Sequence, residues 1–395
     1  MRERRARIEP HDSQERFEKL GVDVFRGEAR FISPWEVEVA GTRLRAKNFV
    51  VATGTRAALP QVPGLGDVPF FTNETVFDQL NEKPRSIIVI GGGPIGCELA
   101  QVFQRLGVQV TLLEHGPHLL LKEDADASEF VVKRLTAEGV RIVYCADLRS
   151  ITQKDGLIRV AVNPKPPCNP EPIELTGEKL LVAAGRVPNI EALNLEAAGV
   201  TFNRRGIEVN EYLQTSQPHI YAAGDVAGPY QFTHMADVQA RTVVRNILIP
   251  FRKARVDYSV VPWSTYVDPE VAHVGLNETE AKKRGIEYDL FVEKMDQVDR
   301  AVVSEEGTGF IKVLVAPGKD RILGVTMVAA NAGDLIHEFV LAMKHGIGLG
   351  KISSTIHAYP TMAEIARKIG DQYQRTRLTP FAKKLFAWLY RRARK

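Results

Sequence analysis

The chain has only three cysteines in 395 residues, Cys97, Cys145 and Cys168, and none lies close enough to another to form a CxxC pair. That spacing argues against a metal site or a disulfide framework. Each is expected to be an ordinary thiol, which fits a reducing, cytoplasmic setting. No apolar run approaches the length of a membrane span, and the opening MRERRARIEPHD carries charge without the apolar segment of a secretory signal. Acid is missing from one stretch. After Asp371 the chain has Arg375, Arg377, Lys383, Lys384, Arg391, Arg392, Arg394 and Lys395, eight bases with no carboxylate. The whole chain is +4, so the remainder stands at −4 and gives no support for nucleic-acid binding.

What is present is a globular composition, 44% hydrophobic and 25% charged, enough for two or three compact units with large cores. Residues 22 to 60 read as short strands ending in the buried-looking NFVVATG and then Pro60 and Pro63. From Arg85 the pattern becomes strand SIIVI, a glycine turn, helix IGCELAQVFQRLG closed by Gly107, and strand VQVTLLE, a βαβ unit with a parallel sheet. A second helix, ASEFVVKRLTAEG, and strand VRIVY follow. From Tyr258 alternating runs such as FIKVLVA and ILGVTMVAA, then the helix-like DLIHEFVLAMKHG, point to an antiparallel sheet carrying helices. NFVVATGTRAALP and KLLVAAGRVPNI echo each other, as though two related domains end alike, yet nothing before residue 49 offers the strand, glycine turn and helix that would begin the first.

The turn Gly91-Gly92-Gly93-Pro94-Ile95-Gly96 follows a strand, opens a helix and is followed by Glu114 at the end of the next strand. In that context Gly91 makes the tight turn, Gly93 lets the backbone approach a pyrophosphate, and Gly96 packs helix on strand. Glu114 can accept both ribose hydroxyls, whereas a 2′-phosphate beside it would be repelled and no arginine follows at once. This favours NADH over NADPH. Asp225, after strand IYAA, reads evenly as a ligand carboxylate at a strand's carboxyl end or as a residue capping its own turn. With Ala52-Thr53-Gly54 and Ala184-Gly185 as further close-approach glycines, a second dinucleotide becomes the better explanation.

These segments together resemble the FAD-dependent pyridine nucleotide-disulfide oxidoreductases. The resemblance rests on VVATGT, IVIGGGPIGCELAQVFQRLG, VAAGRVPN, IYAAGDVAG and HAYPTMAE, in family order over nearly the whole chain. It implies a Rossmann-type α/β architecture for two dinucleotides, its FAD domain incomplete, followed by an α+β dimerisation domain. The implied parts are residues 1–82 as part of the first FAD segment, 83–198 for NAD(H), 199–256 as the FAD return segment, 257–373 for dimerisation and 374–395 as a basic tail. By the same resemblance Asp225 would bind the ribitol of FAD, Thr233 and His234 would lie near the flavin, Gly54 would line the FAD site, Glu98 would face the flavin and Gly185 would approach NADH. Hydride would pass from NAD(P)H through FAD to a disulfide or thiol-bound metal, in a homodimer.

Two departures from the family pattern matter. The family's opening GxGxxG unit and redox CxxxxC pair are absent from this sequence, so as written the chain is expected to hold FAD poorly. At HAYPTMAE most members place a histidine before the proline and a glutamate five residues later, whereas here the pair is Tyr359 and Glu364. With an ordinary pKa near 10, a tyrosine is about 4 kcal/mol from serving as a base at pH 7, so Tyr359 suits a hydrogen-bond donor or substrate contact better. His357 is offset by roughly 6 to 7 Å in an extended loop and reads as structural. The tyrosine resembles the mercuric reductase branch, although the C-terminal cysteine pair of that branch is missing. Two other readings stand beside it: a non-catalytic nucleotide-binding dimeric remnant, and a dihydrolipoyl dehydrogenase-like enzyme. In the tail, Leu378, Phe381, Leu385, Trp388 and Leu389 share a helical face, which suits an interfacial helix on anionic lipid and equally a helix docked on the dimer.

Overall fold

A computed structural model describes residues 1–168 and 171–394, and the chain divides into two compact units. The first unit comprises residues 1–61, 69–83 and 181–257. It begins with two short helices, Arg2–Ile8 and Gln14–Lys19, neither of which buries a residue. An antiparallel meander follows, Ala29–Ser33, Glu36–Val39 and Thr42–Arg45, and the Trp35 ring at its first turn stacks on His219 at 3.6 Å. Phe49–Val51 pairs in parallel with Ile220–Ala222, so both strands run out at the same end. Phe31, Val51, Leu195, Val200, Ile220, Ala222 and Val226 form the core beneath them. The strands of the two echoing segments belong to separate sheets, Phe49–Val51 beside Ile220–Ala222 and Lys179–Val182 beside Ser86–Ile90, and the short strands that follow their glycines, Thr55–Ala57 and Arg186–Pro188, pair antiparallel with each other.

The second unit comprises residues 62–68, 84–180 and 258–395. Its parallel strands Ser86–Ile90, Gln109–Leu113 and Arg141–Val143 are joined by helices Pro94–Arg105 and Ala125–Ala137, as the hydrophobic periods predict. Gly107 and Gly139 follow those helices at φ of 78° and 99°, left-handed positions that a side chain would strain. An antiparallel three-stranded sheet follows, Ala146–Lys154, Leu157–Pro164 and Ile173–Gly177. The later half of the unit is a five-stranded antiparallel sheet in the order Pro262–Thr265, Glu270–Gly275, Ile322–Ala329, Phe310–Val315, Asp289–Lys294. Its core includes Ile311, Val313, Val325, Met327, Phe339, Ile365 and Ile369. The run DLIHEFVLAMKHG, expected as one helix, forms two, Ala332–Leu335 and His337–Lys344.

Two buried polar groups join the parts of this unit. Lys312, 1% exposed in a strand that is otherwise apolar, is held by Asp124 at 2.7 Å, Asp126 at 2.9 Å and Glu278 at 3.1 Å. Glu123 accepts the Trp263 indole N–H at 2.6 Å through Oε1, while its Oε2 is buried with no hydrogen-bond partner. Burial pushes the Glu123 carboxyl up to about 7, against the opposing effect of Trp263. Because the folded value lies above the unfolded one, the stabilisation from this group is complete below its ordinary pKa and is lost as pH rises through 7. Glu123→Gln keeps an acceptor for Trp263 and cannot ionise. It is expected to match the parent near pH 5 and to exceed it at pH 8 by at most about 3 kcal/mol in denaturant unfolding. An equal difference at both pH values would show that ionisation of Glu123 has no part in stability.

Candidate functional site

The residues singled out by sequence fall in both units. In the second unit the strand Ser86–Ile90 leads into Gly91 at φ 110°, whose N–H donates to the Leu113 carbonyl at 2.8 Å. Gly93 caps helix Pro94–Arg105 with Pro94 in its first turn. Ile95 and Gly96 in that first turn have no intrahelical acceptor, so their N–H groups and the positive end of the helix dipole are available to an anion. A Cβ added at Gly93 would meet nothing within 4 Å, so open space lies before the helix where the sequence predicts a pyrophosphate. Gly96 is buried in the helix, as expected for close helix packing.

Glu114 is 6% exposed, and its carboxylate is fixed by two backbone donors, Gly92 N–H to Oε2 at 2.7 Å and Gly116 N–H to Oε1 at 2.6 Å. Each oxygen keeps a lone pair for a further donor, which is what a ribose diol supplies. Sequence reasoning passed over Gly92. A Cβ there would lie 2.5 Å from Leu119 Cδ2 and 2.8 Å from Glu114 Oε2, so this middle glycine is what lets Glu114 approach the turn. Glu98, in the same helix, accepts the Tyr266 N–H at 2.8 Å, and burial raises its carboxyl above the ordinary value despite that bond.

Cys97 is an ordinary thiol as expected, fully buried, donating to the Gly92 carbonyl at 3.3 Å, with burial pushing its pKa far up. The same expectation is wrong for the other two cysteines. Cys145 and Cys168 form a disulfide with Cα atoms 6.0 Å apart. The spacing argument failed because the pairing is made by tertiary structure: the Ala146–Lys154 and Leu157–Pro164 hairpin and the Lys165 N–H to Cys145 carbonyl bond carry Cys168 back to Cys145. Cysteine usage therefore no longer argues for a reducing compartment.

In the first unit Asp225 follows the strand Ile220–Ala222, and its Oδ2 accepts the Thr55 hydroxyl at 2.9 Å and pairs with Arg186 at 3.3 Å. Thr55 Oγ1 in turn accepts Arg186 Nε at 2.6 Å, so carboxylate, hydroxyl and guanidinium form a closed triangle. Neither Thr55 nor Arg186 was singled out from sequence; each sits directly after a glycine that was. Gly54, at φ 63°, has open space where a Cβ would stand, and its carbonyl accepts the Asn189 N–H at 3.0 Å. Gly185, at φ 118°, lies in this unit with Asp225. Thr233 opens helix Thr233–Leu248, and the exposed His234 stacks on Phe232 at 5.2 Å.

Tyr359 and Glu364, in the second unit, have different partners. The Tyr359 hydroxyl donates to Asp299 at 2.8 Å, and that bond holds its pKa above the ordinary value, so the phenol is a donor and not a base. Glu364 is 7% exposed at the start of helix Glu364–Thr376 and pairs with Arg367 at 2.7 Å, while its Oε2 is buried without a partner. His357 is bonded to Glu338 at 3.0 Å and faces the Thr355 carbonyl at 3.0 Å. Among the described residues, no three histidine, cysteine, aspartate or glutamate side chains could hold a metal ion.

Against known proteins, the sequence pattern of pyridine nucleotide-disulphide oxidoreductase matches residues 7–240, and that of the family's dimerisation domain matches residues 261–369. The chain is 38% identical over 348 residues to a mercuric reductase of Lysinibacillus sphaericus, covering 88% of this chain and 63% of the relative. It is 34% identical over 349 residues to a dihydrolipoyl dehydrogenase of Chlamydia muridarum, covering 87% of this chain and 73% of the relative. The structure of the HOCl-induced flavoprotein disulfide reductase RclA from Escherichia coli superposes with a TM-score of 0.81 at 28% identity, over 88% of this chain and 79% of that one. The chain thus spans less than two thirds of the mercuric reductase it matches.

Proposed function

Because the chain belongs to the pyridine nucleotide-disulphide oxidoreductase family, we propose that it carries the nicotinamide-nucleotide site of a flavin-dependent NAD(P)H oxidoreductase whose substrate is a disulfide or a thiol-bound metal. The observation that carries this reading is the paired geometry of an open helix N-terminus at Gly93 and a carboxylate at Glu114 fixed by two backbone donors. Residues 83–198 hold NADH: Gly91, Gly93 and Gly96 receive the pyrophosphate and Glu114 the adenosine ribose. Residues 257–373 form a homodimer. Tyr359, whose hydroxyl donates to Asp299, serves as a substrate contact, and Glu364 follows it five residues later in the HAYPTMAE segment.

The fit to FAD is partial. Asp225, Gly54, Thr233 and His234 supply a carboxylate, a close-approach glycine and a helix start in the first unit. Among the described residues, that unit has no strand, glycine turn and helix to receive the flavin pyrophosphate. What this chain's residues supply is therefore the binding and orientation of the nicotinamide nucleotide. One observation favours the mercuric reductase-like over the dihydrolipoyl dehydrogenase-like reading: the residue before the proline of HAYPTMAE is a phenol held as a donor to Asp299.

The test is NADH consumption by the purified chain with FAD added, followed separately with mercuric ion and thiol, with lipoamide, and with an artificial dye. Flavin-dependent oxidation of NADH with any of the three supports the enzyme reading. Tight NADH binding with no oxidation in any of them would leave a nucleotide-binding dimer in its place.

A further inference from the structure

Helix Pro380–Ala393, PFAKKLFAWLYRRA, begins under a Thr379 side-chain cap and buries no residue. At about 100° per residue, Trp388, Phe381, Leu385 and Leu389 span an arc of about 100°, which Phe386 and Tyr390 widen to about 200°. Lys383, Arg391 and Lys384 occupy the opposite arc. The apolar side is open, with Phe381 76% and Trp388 54% exposed. Arg392 falls within the apolar arc, but its guanidinium lies over the Trp388 ring at 5.5 Å, and Arg394 lies over Tyr390 at 4.5 Å. These cations travel with aromatic rings, the arrangement by which basic side chains keep their charge at an interface while the rings go under.

Charge and chain position bear on what covers this face. No carboxylate follows Asp371, and none of the described basic residues of the tail forms an ion pair. The match to the dimerisation domain ends at residue 369, so the helix lies outside the part of the chain that the family shares. Its 14 residues span about 21 Å, and no described helix is long and apolar enough to cross a membrane. A wide aromatic face beside a purely cationic one matches an anionic bilayer lying in the helix plane, whose lipid phosphates face the bases while its acyl boundary receives the rings.

We propose that helix Pro380–Ala393 seats the protein on an anionic lipid surface, with Phe381, Leu385, Trp388 and Leu389 in the acyl boundary and Lys383, Lys384 and Arg391 over the headgroups. The inference does not depend on the oxidoreductase reading. The test is co-sedimentation of the full chain with vesicles of phosphatidylcholine alone and of equal phosphatidylcholine and phosphatidylglycerol. Strong partition onto the mixed vesicles alone is expected, falling at least tenfold in Trp388→Ser/Leu389→Ser and in Lys383→Glu/Lys384→Glu, with oligomeric mass unchanged. Three results would overturn it: no partition onto mixed vesicles; partition lost in the lysine variant but unchanged in Trp388→Ser/Leu389→Ser, which marks a general polyanion site; or a change of oligomeric mass in either variant, which marks a helix docked on a second copy.

Discussion

Replacing Gly93 by valine should abolish NADH binding while leaving the fold intact. Gly93 has φ −75° and ψ −176°, an extended conformation that valine adopts readily, and a Cβ there touches nothing within 4 Å. The branched side chain would instead fill the space before the Pro94–Arg105 helix that the pyrophosphate must enter. Losing one or two charge-assisted hydrogen bonds to backbone amides costs about 3 kcal/mol or more, so the loss should be at least about a hundredfold. The comparison with Gly92→Ala separates binding from folding. There the new methyl would stand 2.5 Å from Leu119 Cδ2 and 2.8 Å from Glu114 Oε2, so that variant should lose thermal stability as well as nucleotide. If Gly93→Val binds NADH as the parent does, the pyrophosphate does not sit at this helix.

The second large effect is on stability. Lys312→Met should destabilise the chain by about 3 to 5 kcal/mol, because it removes a buried cation shared by three carboxylates while leaving them in place. Burial alone would raise the Asp124 carboxyl, but Lys312 and the Thr279 amide hold it below its ordinary value, so this ion loses most when the lysine goes. Adding Asp124→Asn to Lys312→Met should recover part of the loss, since the amide removes a buried charge that has lost its partner. Denaturant midpoints give both numbers. A change under about 1 kcal/mol in the single variant would mean that water already reaches the cluster. The cost is high because the closest pair is itself buried, the Lys312 side chain 1% and the Asp124 side chain 5% exposed.

Much of the glycine turn was legible because its requirements are local. A strand, three glycines and a helix lie within 20 residues, and their spacing alone places Gly91, Gly93 and Glu114 where the structure has them. Gly92 was not legible as a constraint, since what crowds it is Leu119 and the far end of Glu114, side chains brought in by the next strand. The Asp225 partners depend on contacts across more than 35 residues in the case of Arg186 and 170 in the case of Thr55. Motif reading placed the aspartate and could not place the guanidinium that neutralises it. The disulfide is the same lesson in another form: 23 residues of separation mean nothing until a hairpin folds them together. Tyr359 was placed by its motif, but its acceptor, Asp299, lies 60 residues earlier in the chain.

Titration of the unmodified chain with NADH and NADPH, followed by isothermal calorimetry, tests the central claim that the glycine turn and Glu114 form a pyridine-nucleotide site. A Glu114 carboxylate held by Gly92 and Gly116 should favour NADH over NADPH by at least about tenfold, or 1.4 kcal/mol. Equal or tighter binding of NADPH, or no heat with either nucleotide from a folded chain, would contradict it.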